Sequence, residues 1–208
     1  MPRKNAKEKK QPYHHGDLRQ ALLNAALVTL ETKDANSLSL REVARQAGVS
    51  HTAPYRHFAD KAALLAAVAE DGFAEFGKYL RNALVENDPV QSLQAAGVAY
   101  VRYALDHPTH FRIMFSHFPA VEPADSDLYS VSKESFQILV DIIDAGQATG
   151  VMKSGDVNFL AFGRWSMVHG LAMLLLDGML PQQGKDAIAL AHSLIQENLT
   201  GILAKPSR

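Results

Sequence analysis

The sequence predicts an all-α protein in which a three-helix head is joined by one long helix to a larger α-helical body. Breaks rich in Pro, Gly, Asn and Asp divide the chain into segments of helical length that are rich in Ala, Leu, Val and Phe. No stretch shows the sustained apolar–polar alternation of a half-buried β-strand. With 208 residues, of which 47% are hydrophobic, the chain is long enough for one large or two modest domains.

The chain starts with a segment, residues 1–12, that we expect to be a disordered basic arm. It contains five basic residues, one Glu and no periodic apolar face. The first helix is predicted to open at Asp17, because Gln20 stands at the capping-box position three residues later. Its apolar residues repeat at helical spacing and form the predicted buried face: Leu18, Leu22, Ala25, Ala26 and Leu30.

Residues 38–57 predict a helix-turn-helix. Ser39 followed three residues later by Glu42 is a capping box, so the first helix of the motif is expected to begin at Leu40. Gly48 stands just after the expected end of this helix, where a left-handed residue without a Cβ is favoured. We therefore expect a tight turn at Gly48.

The residues after this turn predict a second short helix and the start of a third. Ser50 can cap a helix that runs from residue 51 to about residue 58. Pro54 removes one N–H of that helix, which is tolerated this near a helix start. Asp60 is expected to cap a long helix that begins at Lys61 and continues without Pro to about Glu86.

Several side chains of this head suit contact with an anion. Lys61 lies at the start of its helix, where the macrodipole disfavours a cation by up to about 1 kcal/mol, and a bound phosphate would reverse that penalty. Tyr55 and His57 can each hold a ring against the core while a polar group points outward. The plain alternatives are a solvated lysine and two packing residues.

Charge is divided unevenly along the chain. Residues 1–61 contain 11 Lys or Arg and 6 Asp or Glu, a net charge of +5, whereas the remaining residues have a net charge of −6. A basic head on an acidic body suits a protein in which only one end approaches nucleic acid. Chance asymmetry of a solvated surface is the alternative.

The head strongly resembles the DNA-binding domain of the TetR family of transcriptional regulators, from about Tyr13 to Phe73. The resemblance depends on the helix Leu18–Leu30 and on the stretches 39–44, 47–50, 55–58 and 61–65. It implies a DNA-binding domain at residues 13–73 whose second motif helix enters the major groove of a double-stranded operator. The stretch 53–55 departs from the commoner family pattern, which has a leucine before the tyrosine, but recurs in one branch.

The resemblance also assigns roles within the head. His51, Thr52 and Ala53 would face base edges from the helix that begins at Ser50. The backbone contacts would come from a second set: Ser39, Tyr55, His57 and Lys61. The arm, residues 1–12, could lie along the phosphates or in the minor groove, and a merely solubilising tail is an equally good interpretation.

The body, residues 74–208, ends with two unusually apolar segments, 158–176 and 187–203. In the first, Gly163, Ser166 and Gly170 permit close approach of another helix. The second has a continuous apolar stripe: Ile188, Ala191, Leu194, Ile195, Leu199 and Ile202. Trp165, His169 and Gly170 resemble the Trp…His-Gly motif of one TetR carboxy-terminal domain type, which implies a homodimer formed through the last two helices and a near-palindromic operator. A core role for this motif is the alternative.

The same resemblance implies a small-molecule effector in the body, between the long helix and the segments 90–106, 129–147 and 158–176. Candidate effector contacts are Tyr103, His107, Phe111, Phe115, Trp165, His169 and Met173, with Phe73 and Met114 as further wall candidates. Aromatic and Met residues at helical spacing are more often plain core. No acidic cluster marks these segments, so a neutral or weakly polar molecule is favoured over a polycation.

Other function classes find little support in the sequence. No Gly-rich phosphate loop, nucleophile elbow or carboxylate pair is present, so we predict no enzyme and no cofactor. His107, His110 and His117 could suggest a metal site, but Pro108 interrupts their helix, and we predict none. The longest apolar run, residues 170–176, is short of the roughly 20 residues that a membrane span needs. Without a signal peptide, the chain is expected in the cytoplasm.

We therefore expect a sequence-specific DNA-binding transcriptional regulator, a repressor released by a small-molecule effector. The alternative is an architectural or constitutive DNA-binding protein without an effector. A ligand cavity in the body, with a ligand that lowers operator affinity, belongs only to the first.

Overall fold

A computed structural model describes residues 15–116, 126–181 and 185–204. Within these ranges the regular structure is helical, as predicted, apart from one isolated antiparallel bridge between Met152 and Leu203. The chain divides into two compact units, Met1–Leu64 and Leu65–Arg208. The division falls earlier than the predicted domain boundary after residue 73, because the residues from Leu65 onward pack in the second unit. The basic arm, residues 1–12, lies outside the described residues.

Helix α1 (His15–Leu30) begins before its predicted cap, so Asp17 lies inside the helix and is not its N-cap. An acidic residue is favoured by the macrodipole throughout the first turn, and the helix can therefore start ahead of it. The predicted buried face is confirmed at four positions, and Leu23 joins it: Leu22, Leu23, Ala25, Ala26 and Leu30 are buried. This face packs α1 against α2.

Helix α2 (Leu40–Gln46) begins where the capping box predicts. The Ser39 hydroxyl accepts a hydrogen bond from the Glu42 N–H at 3.3 Å. The Glu42 carboxylate forms an ion pair with Lys33, which holds the start of α2 against the preceding loop, and a second ion pair with Arg45 within α2. Leu40, Val43 and Ala44 face the core of the head.

The turn after α2 is the predicted glycine turn. Gly48 has a φ of +68°, in the left-handed region that glycine adopts without a Cβ penalty. The Val49 N–H donates to the Ala44 carbonyl at 3.0 Å, and the Gly48 N–H donates to the Arg45 carbonyl at 3.1 Å. These two bonds form a Schellman motif, which satisfies the last carbonyl groups of α2.

The second helix of the motif differs from the prediction. In place of an α-helix over residues 51–58, the chain forms a turn followed by a short 3-10 helix, Pro54–Arg56. Pro54 has no N–H to donate to the Ser50 carbonyl, which accepts instead from the Ala53 N–H at 2.9 Å. Ser50 is not the predicted N-cap, because its hydroxyl lies 3.2 Å from the Thr52 hydroxyl and bonds to it.

Helix α3 (Lys61–Asn82) begins at the predicted cap, where the Asp60 carboxylate accepts from the Ala63 N–H at 2.8 Å. It ends before the predicted limit at Glu86. The later described helices are α4 (Pro89–Asp106), α5 (Pro108–Ser116), α6 (Asp127–Ala148), α7 (Val157–Leu176) and α8 (Lys185–Leu199). Helices α4, α6 and α7 match the predicted segments 90–106, 129–147 and 158–176 to within two residues, and α8 ends four residues before the end of the predicted segment 187–203. Helix α4 is central in the body, since it packs against α5, α6, α7 and α8.

The two late apolar segments have different environments. The stripe of α8 faces α4 within the same chain, and its residues Ala191, Ile195 and Leu199 are buried. Helix α7 packs against α4 and α6 through one face and leaves a second apolar face exposed, with Phe159, Phe162 and Leu174 exposed at 76%, 52% and 45%. The intramolecular packing therefore accounts for most of the α8 stripe but not for all of α7.

Helix α7 is, by length and composition, the described helix that could cross a membrane. The sequence-based expectation was that no stretch is long and apolar enough to span a membrane, because the longest uninterrupted apolar run is residues 170–176. Helix α7 differs from that expectation. The core helix of a soluble protein meets the same test of length and composition. Ala161, Val168, Leu171, Ala172 and Leu175 of α7 are buried, whereas most of the helix is not.

Candidate functional site

The predicted DNA contacts lie on the surface of the head. Ser39, Ser50, His51, Thr52 and Tyr55 are exposed, and Ala53, His57 and Lys61 are half-buried. Pro54 and Phe58, in contrast, are buried and pack in the core of the head. The short 3-10 helix therefore presents its polar side chains outward and holds its apolar ones in the core.

Tyr55 and His57 are each partly packed and partly exposed, as a contact with the sugar–phosphate backbone of DNA requires. The Tyr55 side chain is 53% exposed although it is a large aromatic group. The His57 ring lies 6.2 Å from the buried Phe58 ring, and the Arg19 guanidinium lies 5.9 Å from the same Phe58 ring. These ring contacts hold the end of the recognition segment, residues 50–58, against α1.

Lys61 has an internal partner that the sequence did not suggest. Its ammonium group donates to the Asn36 carbonyl at 2.8 Å. This carbonyl belongs to the short 3-10 helix Ala35–Ser37, which precedes α2. The contact offsets the macrodipole penalty of a lysine at a helix start and points its side chain toward the loop before α2.

The body contains a partly open cavity of about 340 Å³, lined by described residues from each of the helices α3 to α8. Its wall is mainly aliphatic and aromatic, and the aromatic members are Phe73, Phe76, Tyr100, Phe115, Tyr129, Phe136, Phe162 and Trp165. The Phe136 and Phe162 rings stack with their centroids 5.1 Å apart. A pocket of this size and lining is typical of a small-molecule site.

The cavity contains some of the predicted effector contacts and not others. Phe115 and Trp165 line it, as does the wall candidate Phe73. The remaining candidates do not line it: Tyr103, His107, Phe111, Met114, His169 and Met173.

Most of the candidates outside the cavity are structural. Tyr103 is fully buried, and its hydroxyl donates to the Gly72 carbonyl of α3 at 3.1 Å. The His107 ring packs 4.7 Å from the Tyr103 ring, while Phe111 and Met114 are fully buried. Met173 is half-buried on α7. The plain-core alternative therefore describes the environment of Tyr103, Phe111 and Met114.

His169 lies directly behind the cavity wall in a hydrogen-bond chain. The Trp165 indole N–H donates to the Tyr100 hydroxyl at 3.2 Å, and that hydroxyl lies 2.8 Å from His169 Nδ1. Burial raises the pKa of Tyr100 and lowers the pKa of His169, so the phenol keeps its proton and the imidazole is neutral. The Tyr100 hydroxyl and His169 Nδ1 therefore share a hydrogen bond between two neutral groups, and the imidazole tautomer sets which of them donates.

The cavity also contains polar residues that the sequence reasoning missed. Ser132, Lys133, Ser135 and Arg164 line it, and burial lowers the pKa of the Arg164 guanidinium. Arg164 is the one cation in the apolar helix α7, a signal that could have identified it. The missed aromatic residues carry no such signal, because identity alone does not separate a cavity wall from a core: Phe76, Tyr100, Tyr129, Phe136 and Phe162.

The histidines considered for a metal site have other surroundings. His110 is buried, with Nδ1 lying 3.8 Å from the Glu75 carboxylate, and burial lowers its pKa. His117 lies outside the described residues. Within the described ranges no group of three His, Cys, Asp or Glu side chains is placed to hold a metal ion.

Comparison with known families decides the identity of the chain. The family model described as bacterial regulatory proteins, tetR family, matches residues 22–68. The model described as tetracyclin repressor-like, C-terminal domain, matches residues 93–197, half of the chain. The chain belongs to the TetR family. It is therefore a DNA-binding transcriptional regulator with a helix-turn-helix head, and not an enzyme.

Solved structures agree with this assignment. A protein of unknown function from Rhodococcus sp. RHA1 is 36% identical, and the match covers 94% of this chain and 100% of that chain with a TM-score of 0.78. A tetR-family regulatory protein from Rhodococcus RHA1 shares the fold at 18% identity, with coverages of 90% and 97% and a TM-score of 0.74.

A third similar structure contains a ligand. The transcriptional regulator FadR from Bacillus subtilis, solved in complex with stearoyl-CoA, shares the fold of this TetR-family chain at 15% identity. The match covers 88% of this chain and 98% of that chain, with a TM-score of 0.73. No curated protein matches the chain.

Proposed function

We propose that this TetR-family regulator is a repressor that a small-molecule effector releases from its operator. The observation that carries the proposal is the partly open, mainly apolar cavity of about 340 Å³ in the body. An architectural DNA-binding protein has no need of such a cavity, whereas ligand pockets typically occupy about 300–1,000 Å³. FadR, which shares the fold, is a regulator with a bound acyl-CoA.

The head, residues 13–73, is proposed to bind the operator through the predicted contacts. The exposed His51 and Thr52, with Ala53, face the bases, and Ser50 lies at the start of the same segment. Ser39, Tyr55, His57 and Lys61 hold the sugar–phosphate backbone. Exposure of the polar members and burial of Pro54 and Phe58 support this orientation.

The regulator is proposed to act as a homodimer in the cytoplasm. The exposed apolar face of α7 supports the dimer, because the Phe159 and Leu174 side chains, and the outer part of Phe162, remain exposed in the single chain. Two-fold symmetry would place the two recognition segments about 34–36 Å apart, or a multiple of this, on a near-palindromic operator.

Helix α3 is the element proposed to couple the cavity to DNA binding. It begins with Lys61 and contributes Phe73, Phe76 and Leu80 to the cavity wall. The Tyr103 and Ser135 hydroxyls donate to its Gly72 and Phe73 carbonyls at 3.1 Å each, so neighbouring helices hold α3 at the cavity. A ligand releases DNA only if it binds more tightly to the state with low operator affinity.

The experiment that tests this function fills the cavity. Sequencing the DNA that the purified protein retains from its own genome identifies the operator, and a metabolite library screened by Trp165 fluorescence and operator release identifies an inducer. Ala96 is buried and lines the cavity, so Ala96→Phe should still bind the operator but need at least about tenfold more inducer for release.

The matched control is Ala95→Phe, at the preceding position of α4. Ala95 does not line this cavity, so this variant should respond to the inducer as the wild type does. An Ala96→Phe protein with a normal inducer response would place the pocket elsewhere. A wild-type protein that binds its operator and is released by no cavity ligand would favour the architectural alternative.

A further inference from the structure

The charges on the cavity wall are all of one sign. The described lining residues include two cations, Arg164 and Lys133, and no Asp or Glu. Neither cation forms an ion pair with a carboxylate of the described residues. A cation in an apolar wall is costly unless an anion or a hydrogen-bond acceptor compensates it.

Arg164 is only partly compensated by the protein. Its Nη1 group donates to the Asn198 carbonyl at the end of α8, at 2.6 Å. Its Nε atom is buried and has no hydrogen-bond partner. The bond to Asn198 fixes the guanidinium in place, while the orphaned N–H group lacks an acceptor.

Apart from the exposed Tyr129 hydroxyl, the other polar side chains of the wall are hydrogen-bonded within the protein. The Ser132 hydroxyl donates to the Tyr129 carbonyl at 2.8 Å, and the Ser135 hydroxyl is within bonding distance of the Phe73 and Val131 carbonyls. The Trp165 N–H donates to the Tyr100 hydroxyl, which also bonds to His169 Nδ1. The two cations are therefore the charged hydrogen-bond donors that the described wall offers to a ligand, beside the Tyr129 hydroxyl.

We propose that the effector of this cavity is an apolar organic anion, whose acid group pairs with Arg164 and whose hydrocarbon part lies against the aromatic wall. Lys133, which is exposed, adds positive charge at the cavity's edge. The proposal rests on the proposed function and narrows it, because an apolar cavity alone would accept neutral molecules equally well. It replaces the expectation of a neutral or weakly polar effector.

The wild-type protein tests the head group directly. Decanoate, decan-1-ol and decylammonium have matched chains and differ in charge, and each can be titrated while Trp165 fluorescence is recorded. The chain has a single Trp, which lines the cavity, so the signal reports on this site alone. Decanoate should bind about tenfold more tightly than decan-1-ol, and decylammonium more weakly than both.

The variant Arg164→Gln separates a charge effect from a folding effect. It should bind decanoate about tenfold more weakly than the wild type and bind decan-1-ol unchanged, since the alcohol needs the wall but not the charge. Lys133→Gln, at an exposed position, is the second variant and should lower decanoate affinity by a smaller factor. If Arg164→Gln does not fold, the comparison of the three probes on the wild type still decides whether the cavity prefers an anion.

The outcomes separate this inference from the proposed function. Equal binding of decanoate and decan-1-ol, or a preference for decylammonium, would overturn the anion inference and leave the cavity as a ligand site. No fluorescence response to any of the three probes would count against both. A decanoate preference that survives in Arg164→Gln and in Lys133→Gln would overturn the role of these two cations.

Discussion

The Lys61 side chain shows how one residue of the head can serve both the fold and the operator. Its ammonium group has three N–H donors, and one is directed to the Asn36 carbonyl at 2.8 Å. The remaining donors are available to a phosphate oxygen beside the start of α3. The internal bond therefore orients the lysine without removing its capacity for DNA.

We predict that Lys61→Ala weakens binding to all DNA sequences and reduces the slope of affinity against salt by about 1, because one phosphate contact is lost. Thr52→Ala is the contrasting variant and should change the preference at one base pair by about 1 kcal/mol. Fluorescence anisotropy at several salt concentrations measures both effects. Unchanged affinity and salt dependence for Lys61→Ala would show that the proposed docking is wrong.

Residue identity predicted the surface of the head better than the wall of the cavity. Polar side chains such as Thr52 have few reasons to be buried, so their exposure follows from the sequence. Tyr103 and Trp165 are both large and apolar, and burial in a core stabilises them as much as a position at a cavity wall does. Only the packing of six helices decides which of them faces the empty volume.

At the scale of the element, helix limits were predictable where capping is local. Ser39, Gly48 and Asp60 each form the predicted backbone contacts, since all partners lie within a few residues. The second motif helix was not predictable in the same way. Pro54 was expected to be tolerated near a helix start. Because Pro54 has no N–H, the Ser50 carbonyl accepts from Ala53, three residues later, and this bond favours a 3-10 turn.

The glycine turn yields a prediction at this scale. A Cβ at Gly48 would meet no atom within 4 Å, so Gly48→Ala introduces strain only through its φ of +68°. The strain should cost about 1–2 kcal/mol and raise local opening of α2 by roughly 5–30-fold. Hydrogen exchange measures this as lower protection of α2 amides, with α4 amides as the internal control. Gly48→Asn should have a smaller effect, because Asn tolerates this conformation.

At the scale of the whole molecule, the sequence did not distinguish packing within one chain from packing between two subunits. The α8 stripe and the exposed face of α7 differ in this respect. Both segments looked suited to a subunit interface. Ile195, however, is buried and lines the cavity, so a charge there would disrupt the body itself. Apolar periodicity predicts that a face is covered but does not say whether the same chain or a second copy covers it.

The exposed face of α7 provides a sharper test of the dimer. A Cβ at Gly163 would meet no atom within 4 Å in the described chain, so Gly163→Arg should leave the monomer folded. In a close-packed dimer the same side chain would occupy the volume of the partner helix and bury an unpaired charge. We expect the wild type to sediment as a dimer at micromolar concentration and Gly163→Arg as a folded monomer with weaker binding to a palindromic operator. Asp144→Arg, at an exposed position of α6, is the matched control and should remain dimeric. Dimers of Gly163→Arg as stable as the wild type would exclude this face of α7 from the subunit interface.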